Sequence, residues 1–179
     1  MIFPAITESI CERTAYSCAR GSCLVDWIAL IVSIIAAFGA AAIGGSSTDK
    51  SIPTWYRGLR KPWFNPPDWA FGPVWAILYL LMAVAAWLVW SENAAAPVVA
   101  PLTFYGIQLA LNSLWSYIFF ARKDLPKAFV EIITLWIMIL ITTVLFWNVS
   151  QLAGILMLPY ISWVSVASAL NYRIWKLNP

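Results

Sequence analysis

Residues 69–90 read WAFGPVWAILYLLMAVAAWLVW and contain no charged side chain. About 20 residues of α-helix are needed to cross the ~30 Å hydrocarbon core of a bilayer, so this stretch predicts a transmembrane helix. Four other stretches have similar length and character: residues 24–43, 97–121, 128–147 and 152–175. They are apolar on all sides, whereas the strands of membrane barrels alternate. The sequence therefore predicts an all-α integral membrane bundle of five transmembrane helices.

The overall composition agrees with a lipid environment. Hydrophobic residues make up 62% of the chain and charged residues 11%, whereas soluble domains average about half and a quarter. Residues 1–23 form an N-terminal extension without the basic and apolar pattern of a secretory signal, and we expect this extension to be poorly ordered. Its three cysteines, Cys11, Cys18 and Cys23, are odd in number and lack CxxC spacing, so neither a zinc site nor a closed disulfide set is indicated. Residues 24–179 are predicted to form the single membrane domain.

The chain has no histidine. This removes the commonest general base, metal ligand and haem axial ligand, so we expect no metal site and no required cofactor. The net charge of +3 comes from Lys and Arg residues that lie mostly in short loops between apolar stretches. Such a distribution predicts contact with membrane lipid and gives no reason to expect a nucleic-acid partner.

The segment from Ile52 to Trp69 is too rich in proline and aromatic residues for a flexible linker. Its four prolines fix φ and stiffen the path of the chain. The aromatic residues predict a lid folded over the mouth of the bundle. The alternative for each of them is a place in the aromatic belt at headgroup level. The aromatic residues concerned are Trp55, Tyr56, Trp63 and Trp69.

The third predicted helix has two distinct faces. Gly106 and Ala110 form a pair of small residues that allows another helix to approach closely, and Ser113 extends it. Gln108 and Asn112, followed by Trp115, repeat at helical spacing on a different side. We expect the small face to contact a second copy of the chain and the polar face to border a cavity. Hydrogen bonding between helices without any ligand is the alternative for the two amides.

The second and fifth predicted helices each carry one stripe of apolar and aromatic residues at helical spacing. The stripes consist of Trp75, Tyr79, Met82 and Ala86 in the second helix, and of Trp163, Ala167, Leu170 and Ile174 in the fifth. Each stripe offers a flat indole surface followed by smaller side chains, as a pocket wall requires.

Glu131 lies about one turn into the fourth predicted helix, with Thr134 expected on the same side. An acidic group at such depth usually faces protein or water and indicates function. The alternative is a carboxylate near the headgroups, favoured by the positive end of the helix dipole.

In their order along the chain these residues resemble the TspO/translocator protein family, also called TspO/MBR proteins or peripheral benzodiazepine receptors. Three blocks between residues 52 and 176 carry the resemblance. The first contains Trp55-Tyr56, Lys61-Pro62, Pro66-Pro67, Trp69, Pro73, Trp75 and Leu78-Tyr79. The second contains Gln108 to Asn112, Trp115 and Phe119-Phe120, and the third contains Pro159-Tyr160, Trp163, Ala167, Leu170-Asn171-Tyr172 and Trp175. Glu131 stands where an aspartate is expected.

The resemblance implies a homodimer of five-helix bundles, each with a pocket near the loop between the first two helices. It implies porphyrins such as protoporphyrin IX and haem, sterols and benzodiazepine-type compounds as ligands. Pocket roles carry over onto Tyr56, Trp75, Asn112, Trp115, Trp163, Ala167 and Leu170. A sterol motif carries over onto Leu170, Tyr172 and Lys176, although Arg173 departs from the expected apolar residue.

Three functions are compatible with these residues. The leading interpretation is a receptor or transporter that binds tetrapyrroles between indoles, with Arg57 and Arg60 near the propionates. The resemblance also implies an enzyme that degrades protoporphyrin IX with light and oxygen, in which Trp75 and Trp163 act as electron or radical donors. The third is a scaffold or stress regulator that faces lipid and has an incidental pocket.

The distribution of basic residues predicts the topology of the chain. One side of a five-helix bundle carries Lys50, Arg57, Arg60, Lys61, Arg122, Lys123, Lys127, Arg173 and Lys176, and the other carries only Arg13 and Arg20. Because short cytoplasmic loops are enriched in Lys and Arg, we expect a cytoplasmic C-terminus and an N-terminus on the opposite side.

Tags at the C-terminus and near Lys61 should be labelled from the cytoplasm, and a tag before Leu24 should not. Labelling of both termini from the same side would contradict five crossings.

Overall fold

The computed structural model describes residues 23–93 and 96–178. These contain five long helices: α1 (Cys23–Ser51), α2 (Phe71–Ser91), α3 (Val99–Ser116), α4 (Leu125–Val149) and α5 (Gln151–Leu177). π-helical turns at Ile52–Tyr56 and Tyr117–Ala121 extend α1 and α3, and a 3₁₀ turn at Asp68–Ala70 precedes α2. The described residues contain no strand, so the all-α prediction is confirmed. Most of the predicted extension, including Cys11 and Cys18, lies outside the described residues.

Length and composition suit four of the five helices for crossing a membrane, namely α1, α2, α4 and α5. Helix α3 is shorter, and it carries the polar residues Gln108 and Asn112 in its middle. The π-helical turn that follows adds five residues to it. Around the bundle the helices follow the order α1, α2, α5, α4, α3, and α3 closes the ring against α1. The outer surface of α1 is strongly apolar, as contact with lipid requires; Ile28, Val32 and Ile35, for example, are all more than half exposed.

Helix α1 continues to Ser51, so the predicted end at the Gly44–Ser47 run is wrong. Contact with α3 explains the difference. A Cβ atom on Gly44 would lie 3.0 Å from the Ser116 hydroxyl oxygen, so the missing side chain lets the two helices approach closely. The Thr48 hydroxyl also donates back to the Gly44 carbonyl at 3.1 Å. Packing therefore overrides the low helix propensity of this run.

The start of α4 has a clear local cause. Asp124 precedes the helix, and its side chain accepts a hydrogen bond of 3.1 Å from the Lys127 backbone N–H, which satisfies one of the free donors at a helix N-terminus. The Lys127 ammonium group lies 2.8 Å from the same carboxylate. These two interactions with Lys127 hold the pKa of the Asp124 carboxyl below its usual value. The cap fixes the short turn between α3 and α4.

The two predicted faces of α3 separate in the structure. Gln108, Asn112 and Trp115 are buried, whereas Gly106 and Ala110 are exposed. Ser113 belongs to neither outer face, because its hydroxyl donates to the Ala40 carbonyl of α1 at 3.1 Å. The exposed small-residue surface therefore consists of Gly106 and Ala110 alone.

A chain of hydrogen bonds crosses the middle of the bundle and joins α2, α3 and α5. The Tyr79 hydroxyl donates to Asn112 Oδ1 at 2.8 Å, and Asn112 Nδ2 donates to the Tyr160 hydroxyl at 2.7 Å. Tyr160 in turn donates to Gln108 Oε1 at 2.9 Å, and Gln108 Nε2 lies 3.7 Å from the sulfur of Met82. Gln108 and Asn112 therefore form hydrogen bonds between helices. Each such bond in a membrane bundle contributes about 0.6–2 kcal/mol.

Glu131 lies inside the bundle. It is only 8% exposed, as the interpretation of an acidic group that faces protein requires. Thr134 does not share its side, because Thr134 is exposed and its hydroxyl bonds back to the Val130 carbonyl. The packing of α4 against α3 and α5 buries the side on which Glu131 lies.

The tight turn between α4 and α5 depends on Gly154. A Cβ atom there would lie 2.7 Å from the Trp147 ring and 2.9 Å from the Trp147 Cα. We expect Gly154→Ala to destabilise the protein by about 1–3 kcal/mol, because a backbone atom cannot rotate away. Thermal unfolding in detergent measures the effect.

Gly39→Ala is the matched control, since a Cβ atom there meets nothing within 4 Å. It should leave the melting temperature unchanged or raise it slightly, as alanine favours helix. Equal melting temperatures for Gly154→Ala and the parent would show that the turn opens at little cost.

Candidate functional site

Tyr56 turns inward at the end of the first π-helical turn and is fully buried. Its hydroxyl donates to Asn65 Oδ1 at 2.7 Å, its ring packs edge-on against Phe71, and the Lys61 ammonium lies 4.3 Å from its ring centroid. Burial and, to a lesser extent, the negative charge of Asp68 raise the pKa of the Tyr56 hydroxyl far above its ordinary value. Tyr56 is therefore a neutral hydrogen-bond donor that fastens the loop to the bundle.

The loop after Tyr56 is held at both ends. Arg57 Nε lies 3.2 Å from Asp68 Oδ2. Farther along, the Arg60 backbone N–H donates to Asn178 Oδ1, and Asn178 Nδ2 donates to the Arg60 carbonyl, both at 3.0 Å. The last contacts join the loop to the end of α5. The segment is thus an ordered cover, as the lid interpretation requires.

The aromatic residues of this loop divide between the two predicted roles. Trp55 is half-buried with its ring 5.7 Å from that of Phe119, and Tyr56 is buried. Trp63 is 95% exposed and Trp69 77% exposed. The inward pair covers the bundle, and the outward pair is placed as the residues of an interfacial belt are.

A pocket lies beneath this loop, between α2, α3 and α5. Its cavity volume is only about 20 Å³, so the space consists of narrow gaps between aromatic rings. The lining is almost entirely apolar and consists of Tyr56, Pro66, Phe71, Trp75, Trp115, Phe119, Phe120, Trp163, Val166, Ala167, Leu170 and Asn171. Such apolar walls with few polar groups are typical of small-molecule sites.

The structure brings six of the seven predicted pocket residues to this space: Tyr56, Trp75, Trp115, Trp163, Ala167 and Leu170. Asn112 is the exception, because its amide is engaged by Tyr79 and Tyr160. Asn112 borders a wider neighbouring cleft of about 580 Å³ between α1, α2 and α3.

The walls of the pocket carry indoles from three helices. The Trp75 ring lies 5.7 Å from that of Tyr79 and 6.3 Å from that of Tyr160, so the hydrogen-bonded tyrosines support it. Trp163 packs edge-on against Phe71 at 6.4 Å, and Trp115 lies 5.3 Å from Phe119. The aromatic surfaces therefore surround the pocket from several directions.

Sequence reasoning assigned no pocket role to Pro66, Phe71, Phe119, Phe120, Val166 or Asn171. The π-helical turn explains two of these omissions. Phe119 and Phe120 are consecutive, yet both are buried because the wider turn changes the direction of successive side chains. The recurrence of Phe119-Phe120 in the family resemblance was the available signal.

The basic residues near the mouth differ from the expectation. Arg57 is paired with Asp68, and the backbone of Arg60 is tied to Asn178 while its side chain is exposed. Lys61 lies directly over the ring of the pocket residue Tyr56. Lys61 is thus the cation in direct contact with the pocket wall.

The three residues of the predicted sterol motif divide between two places, because the Lys176 ammonium lies 5.8 Å from the Tyr172 ring centroid, whereas Leu170 faces the pocket. Leu170 lines the pocket, whereas Tyr172 is 41% exposed and packs against Phe129 on α4. The Lys176 ammonium lies 4.4 Å from the Trp175 ring centroid. The motif does not form one continuous surface of the pocket.

Metal binding has no support in residues 23–93 and 96–178, where no three His, Cys, Asp or Glu residues are grouped as metal ligands.

Comparison with known proteins agrees with this architecture. Residues 29–176 match the model of the TspO/MBR family. The chain is 40% identical to Protein CrtK of Rhodobacter capsulatus over 78% of this chain and 88% of that protein. It is 39% identical to Tryptophan-rich protein TspO of Archaeoglobus fulgidus, over 83% and 96% of the two chains. Identity to the human Translocator protein is 40%, over 69% and 75% of the two chains. The chain belongs to the TspO/MBR family of membrane proteins.

Proposed function

We propose that this protein is a membrane receptor or transporter-like protein that binds tetrapyrroles such as protoporphyrin IX or haem in the pocket beneath the α1–α2 loop. The observation that carries the proposal is the convergence of Trp75, Trp115 and Trp163 from three helices on one apolar space. Large π surfaces stack well on a planar macrocycle. No resident cofactor is needed for this role.

Access to the pocket requires movement. The unfilled space consists of narrow gaps, so a macrocycle fits only after aromatic side chains rotate or the loop lifts. The loop is fastened by a few polar contacts: the ion pair of Arg57 with Asp68, the hydrogen bonds of the Arg60 backbone with Asn178, and the Tyr56 hydroxyl with Asn65. The exposed ion pair contributes about 0–1 kcal/mol and a typical hydrogen bond about 0.5–1.5 kcal/mol, so lifting the loop costs only a few kcal/mol.

The charges at the mouth suit the acidic side chains of a porphyrin. Lys61 lies over Tyr56 and the side chain of Arg60 is exposed. A macrocycle stacked among the indoles with its propionates towards the loop would meet these cations, and a charged hydrogen bond stabilises such a contact more than a neutral one. Membrane lipid surrounds the rest of the bundle.

Iron is not needed for this binding mode. Tyrosine can ligate haem iron through its phenolic oxygen. Tyr56 is the tyrosine among the pocket-lining residues. That oxygen donates to Asn65 and its raised pKa disfavours the phenolate. We therefore expect metal-free protoporphyrin IX to bind at least as tightly as haem.

Substitution of the pocket indoles tests the proposal. We expect Trp75→Ala and Trp163→Ala each to weaken binding of protoporphyrin IX by a factor of about 5 to 150, from a loss of about 1–3 kcal/mol of stacking. The phenylalanine variants should lose less, because a smaller ring remains. Titrations of purified protein in the dark, followed by tryptophan fluorescence and porphyrin absorbance, give the dissociation constants.

Trp27→Ala is the matched control, since Trp27 is 55% exposed on the outside of α1 and should leave the affinity unchanged. Alanine variants that fold and bind as tightly as the parent would exclude this pocket. The same samples under light separate binding from degradation. If the protein degrades its ligand, the parent should lose porphyrin absorbance under light. If Trp75→Phe and Trp163→Phe keep the parent's affinity but no longer cause this loss, the enzymatic role replaces the binding role.

We also propose that two copies associate through the exposed small-residue surface of α3. A Cβ atom at Gly106 meets nothing within 4 Å inside the chain, so this glycine has no packing role in the bundle itself. A surface of small residues lets two helices pack closely in lipid. The proposed arrangement is a symmetric pair with α3 at its centre.

Replacement of Gly106 with leucine should therefore shift the detergent-solubilised protein from dimer to monomer, as measured by light scattering after size-exclusion chromatography. Gly39→Leu on the outside of α1 is the control and should leave the dimer fraction unchanged, because Gly39 is also exposed and without neighbours. An unchanged dimer after Gly106→Leu would assign the interface to another face.

A further inference from the structure

Asn171 on α5 lines the pocket with a completely unused amide group. The residue is 1% exposed, and neither Nδ2 nor Oδ1 has a hydrogen-bond partner among the residues that the structure describes. A buried polar group left unpaired costs about 1–3 kcal/mol, so such groups require an explanation. Asn112 provides the contrast, because both ends of its amide are bonded.

Trp115 adds a second unused donor to the same pocket. It is 6% exposed, and its Nε1–H has no partner within the described part of the chain. Asn171 and Trp115 thus present two free N–H donor groups and one free carbonyl acceptor in an otherwise apolar lining. A small number of polar groups in an apolar pocket fixes the orientation of a ligand and gives specificity.

Glu131 lies close to the height of Asn171 in the bundle. Trp136 of α4 donates to Ser165 of α5 at 2.8 Å, and Phe129 packs against Tyr172. Both contacts have the same antiparallel register, which brings Glu131 level with residues 170 and 171. Both of its carboxyl oxygens are also without a partner in the described residues. A second buried polar group without a partner among the described residues thus lies at the height of Asn171.

From this arrangement we infer that the pocket contains a polar subsite at Asn171 that recognises a lactam or another cis-amide edge of the ligand. A lactam presents an N–H donor beside a C=O acceptor, which matches the acceptor and donor of the Asn171 amide. An ionised propionate has no donor for Asn171 Oδ1 and would leave that acceptor unpaired.

Within the proposed tetrapyrrole function, on which this inference rests, the subsite selects open-chain tetrapyrroles. A cyclic porphyrin holds its N–H groups at the centre of the ring, where an asparagine at the edge cannot reach them. An open-chain tetrapyrrole ends in lactam rings and keeps the propionates for the cations at the mouth. Open-chain tetrapyrroles form from porphyrins by oxidative ring opening, so a reaction of that class must supply the ligand.

Biliverdin and protoporphyrin IX are suitable probes, because both carry two propionates and only biliverdin has terminal lactams. We expect Asn171→Leu to weaken biliverdin binding about 5- to 20-fold and to change protoporphyrin IX binding less than about 2-fold. Dark titrations of the full-length protein measure both constants. Val166→Ala, a change in the apolar lining, is the control and should affect the two ligands equally.

The melting temperature of the ligand-free protein provides an independent readout. Replacement of an unpaired buried amide by an apolar side chain of similar size is neutral or stabilising, so Asn171→Leu should melt at the parent's temperature or above. A large fall in melting temperature would show that Asn171 has a structural partner and would overturn the inference. Equal weakening of biliverdin and protoporphyrin IX binding, or no change in either, would also overturn the inference. The proposed function would still stand in both cases, because the parent binds protoporphyrin IX. Failure of the parent to bind either ligand would refute both.

Discussion

A hydrogen-bond network at the centre of the bundle joins four polar side chains: Tyr79, Gln108, Asn112 and Tyr160. The lipid around the bundle offers them no alternative partner. In the absence of water each unmade bond would be costly, so the rotations of α2, α3 and α5 must satisfy the network together. Once these rotations are fixed, the residues one or two turns towards the loop are fixed as well. The rings of Trp75, Trp115 and Trp163 then face one space, and the pocket is a consequence of the network beneath it.

The pocket, unlike this network, contains buried polar groups that form no hydrogen bond with any described residue. Within the part of the chain that the structure describes, the Asn171 amide and the Trp115 N–H have no hydrogen-bond partner, whereas the four groups of the network bond to one another. Local violations of otherwise consistent packing are typical of functional sites, where stability is sacrificed for binding. The contrast between Asn112 on α3 and Asn171 on α5 separates a structural amide from one available to a ligand.

Much of the fold and part of the site followed from the sequence. Hydropathy predicted five helices, and the stripes on the second and fifth helices predicted which residues face inward, because side chains on a helix repeat with a fixed period. The end of α1 was wrong, since the contact of Gly44 with Ser116 depends on how two helices cross and not on local propensity. The free amide of Asn171 was not predicted for a similar reason. Whether a polar side chain is bonded depends on the rotations of three helices at once, and a periodic pattern does not contain that information.

A structure of the protein with protoporphyrin IX bound in the dark tests the account most directly. We expect the macrocycle between Trp75 and Trp163 beneath Pro66, with the loop displaced or its side chains rotated. The hydrogen bonds from Tyr79 through Asn112 to Tyr160 should be unchanged. A macrocycle bound on the outer surface of α4 and α5 beside Tyr172 and Lys176, with the aromatic pocket still closed, would contradict the account.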